Sequence, residues 1–239
     1  DAWETALRSA SGSAGIDGWT AREIKALAVM LPCAMQDLRL ILNDLLSCAA
    51  AISGQDFDDL FCWFLWGIPK RNTDELRGIA GASILLRAFL SCINACLPAL
   101  PDGQWGGQQK RCAVRATADW LAGPGDRGQE RDLSKAFDTV EYPVAAAALS
   151  FQGVGPNTVA FLEAGWRGQR FCKVGTVAEP FRPKRGVPQG DPTAPKVLGL
   201  VLAPWHADTG TRSVRKWAYI DDRSLRYSSA NIAEGQQAI

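Results

Sequence analysis

The sequence contains little of what several protein classes require. It has a single histidine, His206, and seven cysteines without a Cys-x-x-Cys pair, so a zinc site is not expected. The longest apolar stretches, such as residues 60–68, are far shorter than the roughly 20 residues that cross a bilayer. The first residues lack a basic segment followed by an apolar one. We therefore expect no membrane partner and a reducing, intracellular setting, with nucleus and cytoplasm both left open.

Positive charge is also scarce, because the net charge is only +1 over 239 residues. Nucleic-acid-binding proteins usually carry a basic surface. The charge is unevenly distributed, however: residues 1–60 hold nine acidic and four basic side chains, so the remainder is net positive. A predicted strand pair, 171–177 and 179–183, could present one basic face to a phosphate backbone through Arg182, Lys184 and Arg185. The alternative is a solvated surface hairpin.

Two adjacent carboxylates, Asp221 and Asp222, stand at the tip of a predicted hairpin whose strands are 214–220 and 223–227. Adjacent like charges repel, and a hairpin tip gives them no apolar shelter. A divalent cation would compensate for that repulsion, because Mg²⁺ is typically held by one or two carboxylates plus substrate phosphates. The alternative is an ordinary polar turn, in which Asp is common.

A third carboxylate, Asp132, lies far upstream, in a short predicted strand at 131–133 that passes into a helix-like segment. Two metal ions that clamp an in-line phosphoryl displacement need carboxylates from separate strands. Asp132 could supply one of them, or it could be the N-cap of the segment that follows. Between the acids lies a turn rich in glycine and proline, residues 185–195, which would let backbone approach a ligand or would simply lead into a helix.

The three blocks occur in a fixed order. Asp-Leu-Ser-Lys-Ala-Phe-Asp at 132–138, Gly-Val-Pro-Gln-Gly-Asp-Pro at 186–192 and Tyr-Ile-Asp-Asp at 219–222 resemble the A, B and C motifs of reverse transcriptases. Among reverse transcriptases, these motifs most resemble those of non-LTR retrotransposon and group II intron enzymes. Weaker matches lie upstream: Gly-Ile-Asp-Gly-Trp-Thr at 15–20, Ile-Pro-Lys at 68–70, Arg-Gly-Ile at 77–79 and Gln-Trp-Gly-Gly at 104–107.

The resemblance implies an α+β fold of the right-hand polymerase type, with a small antiparallel palm sheet backed by helices. Residues 1–128 would form the fingers and an N-terminal helical part, and residues 129–239 a partial palm. The chain would be a fragment of a retrotransposon polyprotein with further domains, truncated before the thumb and inactive in isolation if it needs that thumb.

The resemblance also implies RNA-templated DNA synthesis, with an RNA template, a DNA primer and deoxynucleoside triphosphates as partners. Two Mg²⁺ ions, which Mn²⁺ could replace, would bind Asp132, Asp221, Asp222 and the carbonyl of Leu133. The remaining roles divide between the nucleotide and the primer. The incoming nucleotide would meet Lys70, Arg77, Phe137, Gln189 and Gly190, and the primer end would rest on Tyr219.

Several alternatives stay open. Lys70 and Arg77 could be an exposed basic loop, and Phe137 and Tyr219 could be core aromatics. If Asp138 read a ribose hydroxyl, the chain would instead be an RNA-templated RNA polymerase, although Phe137 would obstruct that hydroxyl. Departures from the family pattern favour a third reading, an inactive or domesticated remnant that binds RNA. They are Gly78 for proline, Ala194 for serine, and the glycine-rich segment at 104–107.

Overall fold

The computed structural model describes residues 2–52, 57–70, 74–104, 106, 113–123, 125–174, 176–177, 180–207, 214–220, 222–231 and 233. The chain is a mixed α+β protein that folds as two compact units, each built from two separate segments. Unit 1 comprises Asp1–Leu97 and Phe137–Ala194, and unit 2 comprises Pro98–Ala136 and Pro195–Ile239. The predicted division into fingers with an N-terminal helical part (1–128) and a partial palm (129–239) stays a prediction.

Unit 1 is mostly helical and contains one mixed sheet. Its helices are α1 (Ala2–Arg8), α2 (Ala21–Met30), α3 (Pro32–Cys48), α4 (Ile84–Cys96), α6 (Ala136–Thr139, which begins one residue before the unit does), α7 (Tyr142–Phe151) and α8 (Pro156–Arg167). Its strands are β1 (Trp63–Pro69), β2 (Leu76–Gly81), β4 (Arg170–Val174) and the short β5 (Thr176–Val177). Strand β1 pairs antiparallel with β2 and parallel with β4, and β5 pairs with β4.

Local sequence signals account for several helix starts. Thr20 and Glu23 form the expected capping box of α2, in which each side chain satisfies the other residue's main-chain N–H. Ser83 caps α4, and its side chain accepts a bond from the N–H of Leu86. Prolines occupy the first turn of α3, α7 and α8, where a missing N–H costs nothing.

An aromatic cluster forms the core of unit 1. The rings of Phe57, Phe61 and Phe89 all contact Phe161, with centroids 5.0–5.7 Å apart in edge-to-face geometry. Phe161 is completely buried. The indole N–H of Trp63 donates to the carbonyl of Gly165 at 2.9 Å, which ties β1 to α8.

Unit 2 is a small antiparallel sheet with helices on both faces. Strand β7 (Asp222–Tyr227) lies between β3 (Arg127–Arg131) and β6 (Val214–Tyr219). Helix α5 (Ala113–Ala122) packs on one face, where Asp119 accepts the indole N–H of Trp217 at 2.5 Å. On the other face Lys216 donates to the carbonyl of Trp205 at 2.8 Å. Trp205 belongs to α10 (Ala203–Ala207), which follows α9 (Ala194–Val201).

Two expectations about these elements need correction. The apolar run after the turn predicts a single helix over 193–207, but the structure divides it into α9 and α10, since Pro204 has no N–H to donate and disfavours a continuous helix. The predicted strand 179–183 is reduced to one bridge, Phe181 with Arg170, among the described residues of that segment. No helix in the described part of the chain reaches the length and apolarity that a membrane crossing needs.

We expect Phe161→Ala to lower the free energy of unfolding by about 3–5 kcal/mol, because the change removes a fully buried ring and leaves a cavity. Urea denaturation measures this quantity. Phe151 is the matched control, since its ring is 89% exposed and its replacement by alanine should cost less than about 0.5 kcal/mol. Equal costs for the two variants would contradict this account of the core.

Candidate active site

The register of the unit 2 sheet brings two of the predicted acids to one end. Strands β3 and β7 pair antiparallel, with Arg131 opposite Arg223 as the last pair. Asp132 follows β3 directly, and in the same register it comes next to Asp222, the first residue of β7. Paired residues of antiparallel strands project from the same face. Asp132 and Asp222 are both exposed.

These two acids open onto one cavity of about 490 Å³ within unit 2. Its lining comes from α5, β3 and the β6–β7 hairpin. It includes Thr117, Trp120, Glu130, Asp132, Trp217, Tyr219, Asp222 and Ser224. Tyr219 pairs with Asp222 across the hairpin and therefore lies on the same face. The lining is mixed, since it also contains alanines and Arg223, but the two carboxylates at one end are oxygen donors of the kind that a hydrated Mg²⁺ takes.

Asp221 lies outside the described residues. Within the described part of the chain, no group of three His, Cys, Asp or Glu side chains is gathered that could hold a metal ion. The described pair, Asp132 and Asp222, supplies the hard oxygen donors that Mg²⁺ takes. Leu133, whose carbonyl was the fourth predicted ligand, follows Asp132 and accepts a bond from the N–H of Ala136 at 3.2 Å.

The turn that carries the paired acids is strained. Tyr219 and Asp222 pair, so only residues 220 and 221 form the loop. Two-residue hairpins favour turns with positive φ at the first loop position, and Ile220 has φ 60°. A β-branched residue in that conformation costs about 1–3 kcal/mol, and such strain is typical of functional sites.

The segment at 103–106 supports the strained turn from behind. The N–H of Ala218 in β6 donates to the carbonyl of Gly103 at 2.8 Å, and Gln104 bridges Ala218. Gly106 packs directly against Ile220, since a Cβ there would lie 2.3 Å from the Ile220 nitrogen. Only glycine fits this contact. Trp105 and Gly107 of the same motif lie outside the described residues.

His206 and Gln104 form a buried pair that sequence reasoning missed. Gln104 is fully buried, and its Oε1 lies 3.1 Å from His206 Nε2. Because Oε1 can only accept, the imidazole is the donor. Burial, with Lys216 and Arg223 adding positive charge nearby, lowers the pKa of His206 to about 4. The imidazole is therefore neutral at physiological pH, and it holds the residue 104 backbone beside β6.

The remaining predicted residues lie in unit 1, where the loop 186–190 organises three of them. The N–H of Val187 donates to the carbonyl of Phe137 at 2.9 Å. At the other end of the loop, the N–H of Ala80 in β2 donates to the carbonyl of Gln189 at 2.6 Å. Gly190 has φ 126°, and a Cβ there would lie 2.1 Å from the Ala80 carbonyl, so backbone approaches backbone closely. The side chain of Phe137 is 9% exposed.

Asp191 ends this loop as a buried carboxyl group. Its Oδ1 accepts from the N–H and the hydroxyl of Thr193 at 2.7 and 2.8 Å. Burial raises the pKa of Asp191 to about 6 even though both bonds lower it. Its contacts therefore shape the turn into α9.

The predicted phosphate-binding cations are exposed and partly engaged in ion pairs. Lys70 at the end of β1 lies 2.6 Å from Glu75, and Arg77 in β2 is exposed. Arg182 forms a two-point contact with Asp58, and Arg185 lies 3.5 Å from Glu141. Lys184 is exposed. Surface pairs of this kind contribute about 0–1 kcal/mol, so a phosphate could displace them.

Comparison with protein-family models gives no match, and comparison with curated proteins gives none either. The resemblance to reverse transcriptases therefore rests on the ordered motifs of the sequence itself.

His206 provides a direct test of the buried pair, because it is the only histidine and its imidazole NMR signal is unambiguous. We expect this signal to titrate with a midpoint near pH 4, below the ordinary value of 6.5. The unfolded chain binds the proton more readily, so stability is full above pH 6.5 and is lost as the pH falls toward 4.

A Gln104→Leu variant is the matched comparison, since leucine has a similar size but no acceptor for the imidazole. A midpoint near 6.5 in the unaltered protein would contradict the buried, neutral imidazole.

Proposed function

We propose that this protein copies RNA into DNA by metal-dependent nucleotidyl transfer. The observation that carries the proposal is the convergence of Asp132 and Asp222 on one exposed face, at the end of one sheet. They come from segments far apart in the chain. The proposed catalytic region is a polymerase palm, and β1 and β2 would belong to the fingers.

The donor set fits a magnesium site. Carboxylates are the ligands that Mg²⁺ prefers, and the exposure of Asp132 and Asp222 leaves room for the waters and phosphates that complete its shell. Asp132, Asp221, Asp222 and the Leu133 carbonyl would hold the ions. When bound, two ions would lower the pKa of the primer 3′-hydroxyl and neutralise charge on the leaving pyrophosphate.

The strained turn would fix the position of Asp222. Ile220 is held by Gly106, and Gly106 belongs to a segment fastened to β6 through Gly103 and Gln104. A rigid turn keeps charged groups in place without reorganisation during the reaction, which is how electrostatic stabilisation of a transition state is most effective. Tyr219, on the same face as Asp222, would support the primer end.

The residues that the motifs assign to nucleotide binding belong to unit 1. Phe137 would act as the sugar gate, the residue that excludes ribose, and the loop 186–190 would contact the nucleotide. A main-chain hydrogen bond joins Phe137 to this loop. A flat ring against C2′ leaves no room for a 2′-hydroxyl. Arg77 would bind the triphosphate through two hydrogen bonds from its planar guanidinium group, and Lys70 would provide a second positive charge.

We expect Asp132→Asn and Asp222→Asn each to lower Mg²⁺-dependent primer extension on an RNA template by roughly a thousandfold or more, because several kcal/mol of charge stabilisation depend on these ligands. The measurement uses the full-length protein. Asp102→Asn is the control, since Asp102 is an exposed acid of the same unit outside the cavity. Extension that persists in both variants would refute the proposal, and RNA binding without any extension would favour an inactive RNA-binding protein.

We expect Phe137→Val to admit ribonucleotides, because the smaller side chain no longer fills the space beside C2′. The measurement is the ratio of ribonucleotide to deoxynucleotide incorporation, with Phe151→Val as a control on an exposed ring. Unchanged discrimination would reject the gate role of Phe137. A preference for ribonucleotides in the unaltered protein would instead identify an RNA-templated RNA polymerase.

A further inference from the structure

Arg170, the first residue of β4, is a buried cation whose hydrogen-bond partners are main-chain carbonyl groups. The residue as a whole is only 7% exposed to solvent. Nη2 donates to the carbonyl of Gly186 at 3.1 Å and, more weakly, to that of Trp166 at 3.5 Å. Another donor, Nε, is buried without a partner among the described residues. A buried guanidinium is costly to desolvate, so its retention suggests a specific task.

Tyr142 completes this arrangement. Its hydroxyl lies 3.1 Å from the carbonyl of Trp166, the same oxygen that Arg170 contacts, and 3.1 Å from the carbonyl of Pro183. One hydroxyl proton serves only one of these acceptors at a time. Together, Arg170 and Tyr142 attach the backbone at 183 and 186 to the end of α8.

The opposite side of the same backbone is attached to the segment that carries Phe137. The N–H of Gly186 donates to the carbonyl of Val140 at 2.7 Å, and the N–H of Val187 donates to the carbonyl of Phe137 at 2.9 Å. Gly186 is therefore held from both sides, through its carbonyl by Arg170 and through its N–H by Val140. A shift of residue 186 would move the loop and would pull on the Phe137 backbone.

The surrounding charges agree with a fixed cation at this point. Burial lowers the pKa of Arg170, while Tyr142 and Asp138 act in the opposite direction. Arginine remains charged in proteins even so. Hydrogen bonds from a charged donor are about twice as strong as neutral ones, which suits a clamp on a loop rich in glycine and proline.

We propose that Arg170, assisted by Tyr142, is a positioning residue that sets the distance between Phe137 and the loop 186–190, and thereby the discrimination between deoxyribose and ribose. The proposal rests on the proposed function. Arg170 touches neither substrate nor metal in this role, and it acts through the main chain of Gly186 and Val187.

The first test needs no nucleotide. In Arg170→Met, hydrogen–deuterium exchange at the amides of Gly186 and Val187 should accelerate by roughly ten- to a hundredfold, the change expected for loss of a hydrogen bond to a charged group. Arg170→Lys should restore part of the protection, and Tyr142→Phe should give a smaller effect. Arg8→Met is the matched control, because Arg8 is an exposed arginine at the end of α1 that pairs with Glu4 in the same unit. Unchanged exchange at both amides in Arg170→Met would overturn the proposal.

The second test uses primer extension with the same variants. Arg170→Met should raise the KM for deoxynucleotides and increase relative ribonucleotide incorporation, each by roughly tenfold, with a much smaller change in kcat. A merely structural residue would lower the amount of active protein and leave KM and sugar discrimination as they are. Faster exchange combined with unaltered KM and discrimination would therefore overturn the positioning role.

If Arg170→Met does not fold, Tyr142→Phe and Arg170→Lys carry both tests. If the unaltered full-length protein makes no product, the proposed function fails and the claim about sugar discrimination fails with it. The exchange rates then still decide whether Arg170 holds the loop, so the two failures are distinguishable.

Discussion

The pairing of β7 with both β3 and β6 is the constraint on which the candidate site depends. Because β7 is the central strand, one register places Asp222 beside Asp132 and the other closes the hairpin at Tyr219. A slip of one residue in either ladder would turn an acidic side chain to the opposite face of the sheet. The buried residues Ala218 and Leu225 make such a slip costly, since it would remove them from their neighbours and turn them to the opposite face of the sheet.

Each unit contains a turn or loop of the candidate site that is held in place by contacts from neighbouring residues. In unit 2 a strained turn is held by a glycine-containing segment and a buried histidine–glutamine pair. In unit 1 a loop rich in glycine and proline is held by main-chain bonds to Phe137 and Ala80 and by a buried arginine. In both, the backbone that would approach a ligand is fixed by residues that do not approach it. Preorganisation of this kind separates the groups that position from the groups that react.

Sequence reasoning predicted the elements with local signals. The pattern near 142–151 predicts a helix, and α7 confirms it. Thr20 and Glu23 have the spacing of a capping box, which α2 shows, and the late hairpin that carries Asp222 also follows from the sequence. Strand β2 was missed because Leu-Arg-Gly-Ile-Ala-Gly has two glycines and weak alternation, and it depends on pairing with β1. Helix α5 was missed as well, in a stretch where packing against Trp217 decides the outcome.

The site followed the same rule. Asp132, Asp222 and Phe137 stand in ordered motifs and could be singled out from the sequence. The contacts of Arg170 could not be predicted, because main-chain carbonyl partners belong to every residue and leave no sequence signature. The pairing of Gln104 with His206 could not be predicted either, since it joins positions far apart in the chain. The boundaries of the two discontinuous units could not be predicted from the sequence either, since no change in composition marks residues 97, 136 or 194.

That discontinuity has a consequence for biosynthesis. A ribosome delivers β3 long before its partner β7, and the residues between them include a large part of the other unit. The nascent chain must therefore keep one edge of the unit 2 sheet unpaired until β6 and β7 emerge, a situation that slows folding and exposes strands to wrong partners. Asp132 and Asp222 therefore become neighbours late in synthesis, because they meet only after the β6–β7 hairpin has formed.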